Sequence, residues 1–276
     1  MSFFCLPISE VSEMADQWEM WIAHGRWILM GLLAGTVYCS AKLLMMWEVG
    51  WPAGWRWWGY VWFWPGLDVR PWLQARRQVA ATEGLRWFAG LPALGFGVAL
   101  IAGSARVIEN EWLQTWAGMV GVILCLHFGA FRWLAFFWQR VGVPVKPIMD
   151  VPLLAGSLSE FWGGRWNRGF RDFAQCCIGL PVARRWGRSV ALWSVFVFSG
   201  LIHEIVISVP AGAGYGWPLG YFLLQALGVM AEKRLSLKGH LWVLTMTGPG
   251  ALLLFHPPFV ERVMSPFLET LRLVLP

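Results

Sequence analysis

Val190-Ala191-Leu192-Trp193-Ser194-Val195-Phe196-Val197-Phe198-Ser199-Gly200-Leu201-Ile202-His203-Glu204-Ile205-Val206-Ile207-Ser208-Val209 is apolar apart from three hydroxyls and one ionisable pair, His203 and Glu204. As a helix at ~1.5 Å per residue, such a run crosses the ~30 Å hydrocarbon core of a bilayer. Five further blocks read the same way: Trp27–Trp47, Leu85–Gly103, Trp112–Trp138, Trp217–Ala231 and Leu241–Phe255. Phe259–Leu275 adds an interfacial segment or a short last span. The reading is an all-α, polytopic integral membrane protein with six to eight transmembrane helices, in one domain over residues 1–276.

Composition agrees. The 276 residues are 57% hydrophobic and 14% charged, too apolar for an ordinary soluble domain. Trp occurs 22 times, densely between Trp47 and Trp64, as expected where rings sit at the membrane–water boundary; core packing accounts for about half of them. The net charge is +6. Its cations flank apolar spans and form no single basic face, which excludes nucleic acid and favours anionic headgroups or an anionic cosubstrate. The five Cys are scattered, with no CxxC and no disulfide framework. The first 20 residues hold four acids and no Lys or Arg, which argues against a cleavable signal peptide.

Charge also predicts orientation. Arg140 to Arg188 holds eight cations and three acids, whereas Ser104–Glu111 and Pro210–Gly216 together hold one cation. The main basic loop is therefore expected in the cytoplasm and the acidic N-terminus outside.

That loop is too long for a plain connector. Ser157-Leu158-Ser159-Glu160 reads as a capping box. Leu158, Trp162, Trp166, Phe170, Phe173 and Cys177 then recur at helical spacing. The expectation is one amphipathic interfacial helix around residues 158–178, closed by Pro181. Asn167 falls at the edge of its apolar stripe, and Arg165 and Arg168 on its polar side.

Chemistry concentrates on His203. An ionisable residue inside a span is a functional-site hypothesis by default, and a neutral imidazole accepts a proton near pH 7. The plainer alternative is a ring that only hydrogen-bonds a neighbouring helix. Glu204, about 100° round the helix, is expected to contact another helix. Zinc is disfavoured, because His203-Glu204-Ile205-Val206-Ile207 lacks the second His of HExxH. Asn167, one of two Asn in the chain, is an amide able to hold a carbonyl or an oxyanion; an interfacial Asn facing headgroups is the alternative. His127 and Arg132, inside the third block, read as structural. No GxSxG elbow, P-loop or GxGxxG is present.

Four stretches in order resemble the membrane-bound O-acyltransferase superfamily, in its wax synthase branch. They are Trp64-Pro65-Gly66-Leu67-Asp68-Val69-Arg70-Pro71, Ser157-Leu158-Ser159-Glu160-Phe161-Trp162-Gly163-Gly164-Arg165-Trp166-Asn167, Ser199-Gly200-Leu201-Ile202-His203-Glu204 and Leu254-Phe255-His256-Pro257-Pro258. Gly164 stands where the family often has Arg. The chain is short for the family, so one or two of its usual helices are expected to be missing or re-entrant.

The resemblance implies acyl transfer from acyl-CoA, a cosubstrate and not a resident cofactor, to the hydroxyl of a lipophilic alcohol. His203 would be the general base, and Asn167 would orient the donor or stabilise the oxyanion. Trp166, Ser199 and Glu204 would contact substrate. From charge alone, and not from the resemblance, Arg165, Arg168 and Arg171 are expected to meet the CoA phosphates or, equally, lipid headgroups. Rival readings are an acetyl transferase to a sterol, terpenoid or glycan, a transporter using His203, Glu204 and Arg132, and a non-catalytic membrane scaffold. Internal repeats, which would favour a transporter, are not visible.

Overall fold

The computed structural model describes residues 8–74 and 90–274, with side chains from residue 25 onward. The beginning of the expected span at Leu85, the end of the Phe259–Leu275 segment, and Cys5, Arg76 and Arg77 lie outside the described residues. Every regular element among the described residues is helical.

The chain opens with α1 (Ile8–Val49), then α2 (Trp55–Phe63) and the single turn α3 (Arg70–Leu73). Helix α4 (Leu91–Val107) pairs with α5 (Glu111–Ile123), which runs through a π segment (Leu124–Ala130) into α6 (Phe131–Arg140). Among the described residues three helical stretches are long and apolar enough to cross a membrane: 25–49, 111–140 and 188–211. The last is α10 (Arg188–His203), a π turn (Glu204–Ser208) and α11 (Val209–Ala211). Helix α12 (Trp217–Leu235) follows, then α13 (His240–Thr247), α14 (Ala251–Leu254), α15 (Pro257–Phe259), a π turn (Val260–Met264) and α16 (Ser265–Val274). The 240–254 and 257–274 pieces bend by 61° at His256 and pass as one broken span. Among the described residues three or four spans are thus long and apolar enough, fewer than the six to eight expected, because α4 is too short and α12 too charged.

The surface is that of a membrane protein. Leu32, Trp47, Trp62 and Leu241 are more than 60% exposed, which water would penalise and lipid does not. Trp divides between surface and core. Trp47, Trp51, Trp55, Trp58 and Trp62 are exposed, whereas Trp64, Trp72 and Trp138 are buried. Helices approach closely where side chains are smallest: a Cβ on Gly97 or Gly121 would strike the backbone oxygen of the other. That is the packing expected where van der Waals contact, and not water exclusion, joins helices.

The basic loop departs from expectation. In place of one amphipathic helix over 158–178, the chain makes α7 (Leu158–Glu160), a π turn (Phe161–Arg165), a break at Trp166 and Asn167, α8 (Arg168–Ala174), a second π turn (Gln175–Gly179) and α9 (Leu180–Trp186). Trp166 is extended and Asn167 is left-handed, at φ 39° and ψ 60°. The spacing of apolar residues was compatible with an unbroken helix. Tertiary backbone pairing overrides it: Asp150 N–H donates to Arg165 O and Arg168 N–H to Ile148 O, both at 2.9 Å. Pro181 does not close the segment; it occupies the first turn of α9, where no N–H is needed, and Gly187 at φ 87° ends that helix. Ser157 does cap α7, accepting from Glu160 N–H at 3.0 Å. The Glu160 carboxylate reaches Gly156 N–H at 2.8 Å, one residue short of the reciprocal capping-box bond.

Candidate active site

His203 is the last residue of α10, where the helix widens into a π turn. Such turns re-aim side chains and recur at functional sites. Its Nδ1 lies 2.7 Å from the backbone oxygen of Ser199. A carbonyl only accepts, so Nδ1 carries the proton and Nε2 keeps a free lone pair. The Ser199 hydroxyl itself donates to Val195 O at 2.8 Å and is buried. Ser199 therefore acts on the ring through its carbonyl.

Gly200 explains what faces the imidazole. A Cβ there would lie 2.9 Å from Leu219 Cα. Its absence lets α10 and α12 close, which brings the Phe222 ring to 4.6 Å from the His203 ring. Glu204 points elsewhere, as expected. Its Oε1 accepts from Gly216 and Leu219 N–H at 2.9 and 3.1 Å, capping the N-terminus of α12. Its Oε2 is buried with no partner among the described residues.

The Ser157–Asn167 block meets the same helix. Trp162 sits 5.7 Å from Phe222 and 5.9 Å from Phe196, and its Nε1–H donates to Gln225 at 3.2 Å. Gln225 is fully buried and in turn donates to Met246 O at 2.7 Å. Phe222 is thus the ring shared by Trp162 and His203. Trp166 stacks on Phe161 at 5.5 Å, and Phe170 stacks on Phe198 of α10 at 6.0 Å.

Asn167 occupies the break. Left-handed backbone is tolerated by Gly, Asn and Asp and by few others. Its Oδ1 accepts from Phe170 N–H at 3.2 Å, capping α8. That bond fixes which way the amide faces, so Nδ2 is the other end, and it has no partner among the described residues. An Asn here both caps a helix and presents a free N–H₂ donor; an Asp would do only the first.

The three loop arginines are occupied. Arg165 pairs with Glu160 at 2.7 Å and donates to Asp150 O, Arg168 pairs with the Asp150 carboxylate, and Arg171 pairs with Asp172 at 3.1 Å. The stripe geometry put Arg165 and Arg168 on a polar face; acids of the same loop share all three arginines. The Glu160 carboxyl is held below its usual range by the Gly156 N–H and by Arg165. Asp172 is pushed up by burial, which outweighs the opposing charge of Arg171. His127 lies in the π segment following α5, and Arg132 lies over the Phe136 ring at 5.8 Å; neither joins His203.

Three residues here escaped sequence reasoning: Gln225, Glu232 and Lys42. Glu232 is buried on α12, and its carboxylate accepts from Leu158 and Ser159 N–H, anchoring the start of α7. An acid within an apolar helix was the available signal. The open apolar groove along α12, lined by Trp217, Gly220, Leu224 and Leu253, lies on the face away from Phe222. Among the described residues, no group of three His, Cys, Asp or Glu is placed to hold a metal ion.

Fold and site together define an integral membrane protein with a tautomer-locked imidazole and a capping carboxamide on helices packed against one another. Residues 145–224 match the membrane bound O-acyl transferase family. The chain is 29% identical over 129 residues to a long-chain-alcohol O-fatty-acyltransferase of Simmondsia chinensis, 41% of this chain and 37% of that protein. It is 31% identical over 109 residues to a probable long-chain-alcohol O-fatty-acyltransferase 8 of Arabidopsis thaliana, 36% of this chain and 32% of that protein. The matched stretches therefore cover about a third of those relatives' length. No solved structure matches. The segment similar to the membrane bound O-acyl transferase family carries both Asn167 and His203.

Proposed function

We propose that the protein is an integral membrane O-acyltransferase that moves an acyl group from acyl-CoA to the hydroxyl of a lipophilic alcohol. The observation that carries this is the His203 ring: Nδ1 bonded to Ser199 O at 2.7 Å, with Nε2 free. The named activity of the relatives from Simmondsia and Arabidopsis supports the substrate class.

In this reading Nε2 of His203 takes the proton of the alcohol as its oxygen attacks the thioester carbonyl. The C–O bond forms, and the carbonyl electron pair becomes an oxyanion facing the free Nδ2–H₂ of Asn167. Collapse breaks the C–S bond, and the CoA sulfur leaves with the proton held on His203. Products are an ester and free CoA, and the imidazole is neutral again. A thioester is already activated, so a base, an oxyanion donor and proximity suffice. Apolar walls such as Phe196 and Phe222 keep water from competing with the alcohol.

The basic loop, residues 140–188, belongs on the cytoplasmic side, where acyl-CoA is found. Its excess of cations attracts the CoA phosphates as a field, because Arg165, Arg168 and Arg171 each already share a carboxylate. Counting α4, α12 and the bent 240–274 pair as spans gives six.

The test is lipid mass spectrometry of cells expressing the wild type or His203→Ala. Esters made by the wild type and missing from a variant that still inserts support the role. Normal ester formation by His203→Ala refutes it.

A further inference from the structure

Lys42 stands inside α1, within the apolar stretch 25–49, and is 2% exposed. A cation at such a position has to find partners within the protein. Among the described residues it has no carboxylate partner. Its Nζ donates instead to three backbone oxygens: Tyr60 O, Trp64 O at 2.9 Å and Gly66 O at 3.1 Å. An ammonium has three protons, so all are used. The Tyr60 ring lies 3.7 Å from Nζ and adds its negative face.

The three carbonyls come from one short stretch, the end of α2 and the loop that follows. Other bonds pin the same loop. Tyr38 donates to Trp64 O, Tyr60 to Leu67 O at 2.6 Å, and Trp138 to Phe63 O at 2.9 Å. Leu67 packs with Ala41, Met45 and Phe173, joining α1 to α8. The contact is tightest at backbone level. A Cβ on Gly169 would lie 3.1 Å from Gly66 Cα and 3.3 Å from Leu67 N. Gly169 is two residues after Asn167, in the first turn of the helix that Asn167 caps.

The geometry points to Lys42 as a positioning residue for acyl transfer. Its ammonium fixes the backbone of the Trp64–Leu67 loop, and that loop is the surface on which the Asn167 turn rests. The chain of contact runs from Lys42 Nζ to Gly66 O, across the Gly66–Gly169 approach, to the capped turn. This rests on the reaction proposed above. Lys42 touches no reacting atom; it sets where the Asn167 donor sits, and a displacement of about 1 Å at such a donor costs up to ~100-fold in rate.

The test compares Lys42→Gln, Gly169→Ala and Asn167→Asp, alone and combined, in detergent-solubilised enzyme supplied with palmitoyl-CoA and hexadecanol. Lys42→Gln leaves one carbonyl or more without its donor. Gly169→Ala suits helix α8 but pushes the loop away without touching Lys42. Both are expected to lower kcat by ~10- to 100-fold with KM changed less than about threefold. In the Asn167→Asp background neither should lower kcat further by more than about threefold, because the donor they position is gone. Full multiplicative losses in the double variants overturn the proposal, as does a wild-type kcat in Gly169→Ala.

Hydrogen–deuterium exchange supplies an arm independent of activity. Lys42→Gln should raise exchange in residues 64–69 and 167–174 together. Faster exchange confined to 64–69 overturns the proposal even if the wild type turns over normally. Should the wild type form no ester, the reaction assignment fails by itself, and the exchange data still decide whether Lys42 holds the Asn167 turn.

Discussion

Asn167→Asp separates the two jobs the structure gives this side chain. The oxygen end caps α8 through Phe170 N–H, and the nitrogen end is unbonded among the described residues. Asp retains the cap and tolerates left-handed backbone at φ 39°. It also places a negative charge at a helix N-terminus, which is mildly favourable. Stability should therefore change by less than ~0.5 kcal/mol. The N–H₂ donor, however, is replaced by an oxygen that repels a developing oxyanion. Loss of one such donor typically costs ~100- to 1,000-fold in kcat, or ~3–4 kcal/mol. Asn167→Ala loses the cap, worth ~1 kcal/mol, and with it the local hydrogen bonding that makes Asn tolerated in left-handed backbone. It should thus be inactive and also less stable by ~1–2 kcal/mol. Ester formation from palmitoyl-CoA and hexadecanol gives kcat and KM, and size-exclusion profiles after graded heating give stability. A fall in kcat at unchanged KM marks an interaction made only in the transition state. Asn167→Asp turning over within tenfold of the wild type would refute the donor role. Equal heat stability of the Asp and Ala variants would refute the capping argument.

Further expectations follow from the same contacts. His203→Gln should lose ~100- to 10,000-fold in kcat while keeping its elution profile, since a general base is removed from the end of a helix that packs mainly through other residues; activity and size-exclusion runs on one preparation check both halves. Gly200→Ala forces a Cβ to 2.9 Å from Leu219 Cα, so it should destabilise by ~1–3 kcal/mol and lower kcat by moving Phe222 against the His203 ring; unchanged heat stability would show that α10 and α12 do not approach this closely. Glu160 has its pKa lowered on folding by Gly156 N–H and Arg165, so its contribution is present above the unfolded carboxylate range and is lost as pH falls through the folded pKa. Asp172, raised by burial, has the opposite sign. Glu160→Gln should therefore flatten part of the fall in heat stability on acidification below about pH 5, and an unaltered acid profile would show that Glu160 contributes nothing.

The sequence by itself determined the solvent. Twenty-residue apolar runs and a Trp-rich boundary require helices in lipid, because backbone groups there have no water to bond. It also singled out His203, since an ionisable side chain in such a run is costly enough to be conspicuous. Ser157 as a cap was legible from its spacing to Glu160. The break at Asn167 was not: Leu158 to Cys177 keeps helical periodicity, and only the pairing of 148–150 with 165–168 interrupts the helix. Arg168 looked free because its acid, Asp150, is 18 residues away and adjacent only in the fold, whereas Arg165 and Arg171 pair with acids close in sequence, Glu160 and Asp172. Lys42, read locally, is one cation near the middle of a span. Its meaning comes from three carbonyls about 20 residues away and from the glycine contact beyond them. Periodicity and composition report what each segment must be buried in, whereas the partner of a polar atom is set by which segments the tertiary structure brings together, and no local pattern encodes that.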